Sequence, residues 1–306
     1  MKMTKAILFS ILTFSLLQPC QGKTVSIAKE GVTIESFYVS DNNIHKFDSI
    51  RISIILPPNY HQKSKKYPVL YFLPGYNQTD SVIYDLKIAA LLNQFYKSNT
   101  LDHFIFVTFD NQNNNYTNWA GKGQLWSNFI NQSLIEIIDA KYRTLNTSQN
   151  RGLYGVSMGG QGALYNGLRN PDKFGVIMSH SASLHFPQLT EVFDWAKPHL
   201  DSYFSPIYGK PLTQEKWQQN NVIWYVENNE IASRQKIYFD VGIKDHLQFH
   251  KTNILLDQAF NRKLIPHTFR LSQGGHGNKY YQQNMPVALK FWGHIIKENV
   301  VFAKKK

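Results

Sequence analysis

The chain has 306 residues, 42% of them hydrophobic and 18% charged. That balance belongs to a globular protein and excludes a disordered, collagenous or coiled-coil one. A single cysteine, Cys20, rules out a disulfide scaffold or a cysteine-rich zinc module, and the formal charge of +12 points to anionic surroundings without naming them.

Lys2 and Lys5, followed by the apolar run Ala6 to Leu17, read as a secretory signal, and Cys20-Gln21-Gly22 offers small residues to a signal peptidase. Cleavage after Gly22 is favoured over a lipid anchor at Cys20, because Gln18 and Pro19 fit the lipoprotein pattern badly. The expected mature chain, 23–306, is exported to a periplasmic or extracellular space. Loss of Lys2 and Lys5 leaves it a charge of +10. Export argues against nucleic acid as a partner. The surplus of Lys and Arg is read as colloidal solubility, with peripheral attraction to anionic envelope or lipid surfaces as the functional alternative.

Val32 to Val39 and Ile50 to Leu56 are β-rich, and Pro57-Pro58-Asn59 marks a turn after them. Val69 to Leu73 is a short apolar strand ending at Pro74-Gly75. A helix is predicted over Val82 to Phe95, an apolar strand over Phe104 to Phe109, and a helix over Phe129 to Tyr142. Gly152 to Val156 is a strand, Met158 to Arg169 a helix and Gly175 to Met178 a strand. Ile237 to Val241 and Thr268 to Leu271 are further strands, with a helix over Leu247 to Arg262 between them and another over Met285 to Val301. Short apolar strands alternating with amphipathic helices indicate one α/β domain. Its sheet should be mostly parallel, covered by helices on both faces, with the N-terminal pair as an antiparallel edge. The segment 185–233 breaks this rhythm with Trp, Pro, Gln and Asn and no clear period. It reads as a lid or binding insert, with surface padding as the plain alternative.

The strongest local signal is Gly155-Val156-Ser157-Met158-Gly159-Gly160, between a predicted strand and a predicted helix. A serine there sits on a sharp strand-to-helix turn, exposed at the carboxyl end of the sheet, and the glycines admit close backbone approach. Serine alone is a weak nucleophile and needs a base oriented by an acid. In the fold that carries such a turn the acid and then the base follow in chain order, each after a strand. Asp245 and His276 meet that demand. Asp240, inside a strand, reads as structural; Asp110 precedes the serine; His180 and His185 follow a strand one step too early. His246 and His250 have helical i, i+4 spacing, but no intervening glutamate and no third ligand, so no metal site is expected. The loop Leu73-Pro74-Gly75-Tyr76 is expected to offer the Tyr76 amide, with that of Met158, to a tetrahedral oxyanion. Tyr116 and Trp119, in the Asn-rich loop after Phe109, are candidates for the acyl or alcohol pocket; Trp126 reads as helix packing.

Taken together, these stretches resemble the putative-esterase (esterase D-like) branch of the α/β-hydrolases. That branch includes S-formylglutathione hydrolases, tributyrin, feruloyl and acetylxylan esterases, and mycolyltransferases. The matching segments are 67–75, 138–143, 155–160, 170–174, 239–245 and 274–276. The resemblance implies Ser157 as nucleophile, His276 as base and Asp245 as acid, with the Tyr76 and Met158 amides as the oxyanion hole. It departs at Pro74, where many relatives carry histidine, and at Gln132-Ser133, where an acidic residue is common. An exported, cofactor-independent serine esterase is therefore expected, acting on a small-molecule, glycan or lipid ester through an acyl-enzyme. Acyl transfer to an envelope sugar or lipid is the alternative; a serine peptidase and a non-catalytic binding module stand further off.

Overall fold

The computed structural model describes residues 25–29, 31–44, 49–121 and 124–303. The expected signal segment, 1–22, lies outside them. The strands are β1 (Val25–Lys29), β2 (Val32–Val39), β3 (Ile50–Leu56), β4 (Val69–Leu73), β5 (Ile105–Phe109), β6 (Arg151–Val156), β7 (Val176–His180), β8 (Lys236–Gly242) and β9 (Thr268–Ser272). They pair in one nine-stranded sheet, in the order β1-β2-β3-β5-β4-β6-β7-β8-β9. From β5 to β9 every pairing is parallel, whereas β1, β2 and β3 join antiparallel. The expected α/β-hydrolase layout is thus present, and its antiparallel edge holds three strands rather than two. The added strand is β1, whose Val25 pairs with Ser36 of β2.

The helices are α1 (Val82–Asp85), α2 (Ile88–Lys97), α3 (Trp126–Asn128), α4 (Leu134–Lys141), α5 (Met158–Arg169), α6 (Ser205–Tyr208), α7 (Gln214–Gln219), α8 (Val222–Asn228), α9 (Phe249–Arg262) and α10 (Asn278–Ala303). Strand alternation sends Leu70, Phe72, Phe106 and Tyr154 to one face, under α2 and α10, where they meet Leu92, Leu289 and Trp292. Val69, Tyr71, Val107 and Leu153 point the other way, against Phe129, Leu134 and Ala163. A third cluster joins Ile177, Ile237 and Phe239 to α8 and α9 through Val226 and Leu256. Burial of both faces is why the central strands read as continuous apolar runs rather than alternating ones.

Three helices differ from expectation. The stretch predicted as one helix over Val82 to Phe95 breaks at Lys87, which has φ 55°. Leu86 and Ile88 are both buried, yet residues two apart on one helix point about 200° away from each other, so the break lets both reach the core. Between α3 and α4, Phe129–Ser133 forms a wider, π-type turn. Finally, α10 begins seven residues before the expected Met285 and carries Pro286 inside it.

The 185–233 segment divides in two. Val192, Phe193, Phe204, Tyr208 and Trp217 form a small apolar cluster of their own, closed by Phe249 of α9. Beyond it, α8 returns to the sheet and packs against α9. Only the first part stands over the carboxyl end of the strands, as a cap with its own core.

Candidate active site

Ser157 lies between β6 and α5 with φ 54° and ψ −119°, a strained backbone for a residue with a side chain. Its surroundings hold the strain in place. Its N–H donates to the His180 carbonyl at 2.9 Å, and its own carbonyl accepts from Gln161 and Ser183, each at 3.0 Å. A Cβ on Gly155 would fall 2.1 Å from the Gly159 carbonyl oxygen. The motif glycines are thus required by close packing of strand against helix.

The loops after β8 and β9 bring two more residues to this point. Lys244 N–H donates to the Gly274 carbonyl at 2.8 Å, clasping one loop to the other. Asp245 is buried; its Oδ1 accepts from the Leu247 amide at 2.8 Å, and its Oδ2 lies 2.9 Å from His276 Nδ1. Because that carboxylate faces Nδ1, the proton of a neutral ring belongs there, leaving Nε2 bare. Nε2 stands 3.0 Å from Ser157 Oγ. The geometry therefore joins Ser157, His276 and Asp245 in one hydrogen-bonded line, from positions 119 and 31 residues apart.

The competing histidines and aspartate fall elsewhere. His180 does not follow β7 but ends it, fully buried, with Nδ1 2.8 Å from both carboxylate oxygens of Asp240. Tyr238 and Tyr280 also donate to Asp240, at 2.6 and 2.8 Å, so it is a structural centre as expected. His246 stands edge-on to His276 with ring centroids 5.9 Å apart. His185 lines the site cavity; its Nδ1 is buried without a hydrogen-bond partner, and burial pushes its imidazole down to about 4.

Side-chain hydrogen bonds hold the loop carrying Tyr76. Tyr116 Oη donates to the Pro74 carbonyl at 2.6 Å, and Asn111 Nδ2 donates to the same oxygen and to that of Gly75 at 3.3 and 3.1 Å. Gly75 N–H donates to Gln78 Oε1 at 2.7 Å. Tyr116 and Trp119 do not line the cavity, contrary to expectation. Tyr116 is fully buried and braces this loop instead of lining a pocket, because its loop turns inward onto α5. Trp119 likewise serves as a brace, donating from Nε1 to the Asn114 carbonyl at 2.8 Å. Trp126 is core, as expected.

A cavity of about 540 Å³ opens over Ser157 and Met158. The cap contributes Trp195, Tyr203 and Phe204 to its wall, the sheet side Tyr76, Leu247 and Phe249. Asn115, Ser183, His185, His199 and Ser202 are its other polar members, and no Lys, Arg, Asp or Glu lines it among the described residues. Sequence reasoning missed these cap aromatics, since a segment without period gives no face to assign. It also missed Tyr281, whose hydroxyl lies 2.9 Å from His276 Nε2. Only its place five residues after His276 hinted at that.

The family model described as "Putative esterase" matches residues 47–292, most of the chain. Among curated proteins, mouse S-formylglutathione hydrolase is 25% identical over 260 residues, covering 76% of this chain and 83% of the mouse protein. An uncharacterised Bacillus subtilis protein, YbbA, is 26% identical over 155 residues, and the match spans 48% of this chain but only 62% of that one. A solved ferulic acid esterase shares the fold, with a TM-score of 0.72 at 24% identity over 86% of this chain and 98% of that one. The chain belongs to the putative esterase family, here built on an α/β-hydrolase fold.

Proposed function

We propose that the protein is an exported serine esterase that hydrolyses uncharged carboxylic esters through an acyl-enzyme on Ser157. The observation that carries this reading is the line of contacts from Ser157 Oγ to His276 Nε2 at 3.0 Å and from His276 Nδ1 to Asp245 Oδ2 at 2.9 Å. Ser157 Oγ attacks the ester carbonyl as its proton passes to Nε2, and Asp245 keeps the imidazole in the required tautomer and supports its charge. The Tyr76 and Met158 amides receive the oxyanion, one from the braced loop and one from the first turn of α5. The alcohol leaves with the proton from Nε2, and water repeats the sequence to release the acid.

An uncharged substrate is favoured by the cavity lining. S-formylglutathione, the substrate named for the mouse relative, carries carboxylates that find no Lys or Arg among the described residues lining the cavity. The same lining suits an apolar or aromatic acyl group, which would bury against Trp195, Tyr203 and Phe249. Export rests on the Lys2, Lys5 and Ala6-to-Leu17 pattern, and the mass of the secreted chain should correspond to a start at Lys23.

Ser157→Ala is expected to lower kcat on p-nitrophenyl esters by about 10⁴-fold or more and to abolish labelling by a fluorophosphonate. A folded variant that turns over at the wild-type rate overturns the assignment. Product analysis with and without an acceptor alcohol distinguishes hydrolysis from acyl transfer to an envelope sugar or lipid. A wild-type protein that neither turns over esters nor takes the probe would be a binding module.

A further inference from the structure

His276 Nε2 faces two hydroxyls, Ser157 Oγ at 3.0 Å and Tyr281 Oη at 2.9 Å, and only the first has a place in the mechanism above. With Nδ1–H committed to Asp245, Nε2 has one lone pair for both. We propose that Tyr281 is a further catalytic residue, a hydrogen-bond donor to the leaving-group oxygen in acylation and to the attacking water in deacylation. The inference rests on the Ser157 acyl-enzyme reading.

The argument is one of position and protonation. A departing alkoxide must collect its proton from Nε2, so its oxygen must come within hydrogen-bond distance of that atom. It takes the place Ser157 Oγ gives up on acylation, beside a hydroxyl already at the same nitrogen. That hydroxyl keeps its proton: burial pushes the Tyr281 phenol up, and the Asp245 charge adds to the effect. Its aim is set by packing. The ring stacks on His180 at 6.4 Å, meets His276 edge-on at 5.7 Å and Tyr280 at 6.2 Å, and the residue is 2% exposed. In acylation the Ser157 Oγ–C bond forms and the Oγ proton moves to Nε2. The C–O bond to the alcohol then breaks, its electron pair stays on the alcohol oxygen, and that oxygen takes the proton from Nε2. Tyr281 lends only a hydrogen bond, to an oxygen whose negative charge grows as the bond breaks.

The test is Tyr281→Phe on a series of alkyl, phenyl and substituted phenyl esters of one acyl group that the wild-type enzyme accepts, read as kcat/KM. Nitrophenolate departs unaided, so p-nitrophenyl esters should lose little. For unsubstituted phenyl and alkyl esters the loss should grow to about 10- to 100-fold, giving a steeper dependence on leaving-group acidity. Tyr281→Met, which deletes the hydroxyl with a side chain that adapts to the gap, should show the same slope. An equal loss on every ester would reduce Tyr281 to a packing residue, and no loss would remove it from the mechanism. Ser157→Ala run alongside separates the two readings. Its inactivity with an unchanged slope for Tyr281→Phe overturns only the tyrosine, whereas its activity overturns the acyl-enzyme itself.

Discussion

Replacing Gly159 by alanine tests whether the elbow works by close approach of backbone to backbone. An ideal Cβ at that position lies 1.8 Å from the Leu73 carbonyl oxygen, 2.5 Å from its carbonyl carbon and 2.5 Å from the Pro74 oxygen. These are main-chain atoms, so no flexible side chain can swing aside. Carbon and oxygen without a bond between them settle at about 3.3 Å or more, so α5 and the loop after β4 must separate by over about 1 Å. The two amides assigned to the oxyanion lie on the two parts being driven asunder, Met158 next to the substituted residue and Tyr76 two residues beyond Pro74. Overpacking of this kind costs about 1–3 kcal/mol, and a misplacement of about 1 Å at the reacting centre costs about 10²-fold in rate. Thermal melting and kcat/KM on a p-nitrophenyl ester should therefore both fall. Gly121→Ala serves as the control, since a Cβ there meets nothing within 4 Å. A Gly159→Ala enzyme with the melting temperature and rate of the control would refute the account of the turn.

Tyr116→Phe deletes the 2.6 Å bond to the Pro74 carbonyl and should cost about 1 kcal/mol of stability. Because Tyr116 braces the loop instead of touching substrate, kcat should fall severalfold with KM unchanged; a raised KM alone would restore it to the pocket wall. His185 supplies a pH test. Its folded pKa, about 4, is depressed below the ordinary 6.5, so between those values the unfolded chain binds a proton that the folded chain does not. Stability from this source is full above about pH 6.5 and is lost as pH falls toward 4, by at most about 3 kcal/mol. The urea midpoint of wild type should fall relative to that of His185→Phe as pH drops through that window, and parallel pH curves would show that the imidazole is not held neutral.

The parallel sheet was legible because β4, β5, β6 and β7 are short apolar runs, and a strand covered on both faces leaves that imprint locally. The elbow was legible for a similar reason: a left-handed serine and a helix packed onto a strand demand small neighbours at fixed offsets. Other features left no such imprint. The break at Lys87 answers the core's need for both Leu86 and Ile88, which concerns packing rather than propensity. Tyr116 looked like a pocket residue because its loop opens at the right end of the sheet, and only the inward turn onto α5 reveals a brace.

Residues near one another in the chain, then, carried the fold class, the family motifs and the candidates Ser157, Asp245 and His276, because each satisfies a demand of its own strand-end turn. Distances between remote segments were decided only by folding: the cap over the cavity, the uncharged lining, the buried His180–Asp240 centre and the Tyr281 hydroxyl beside His276 Nε2. Local patterns record how a segment meets its sheet, but the company a side chain keeps across the fold depends on which surfaces pack together.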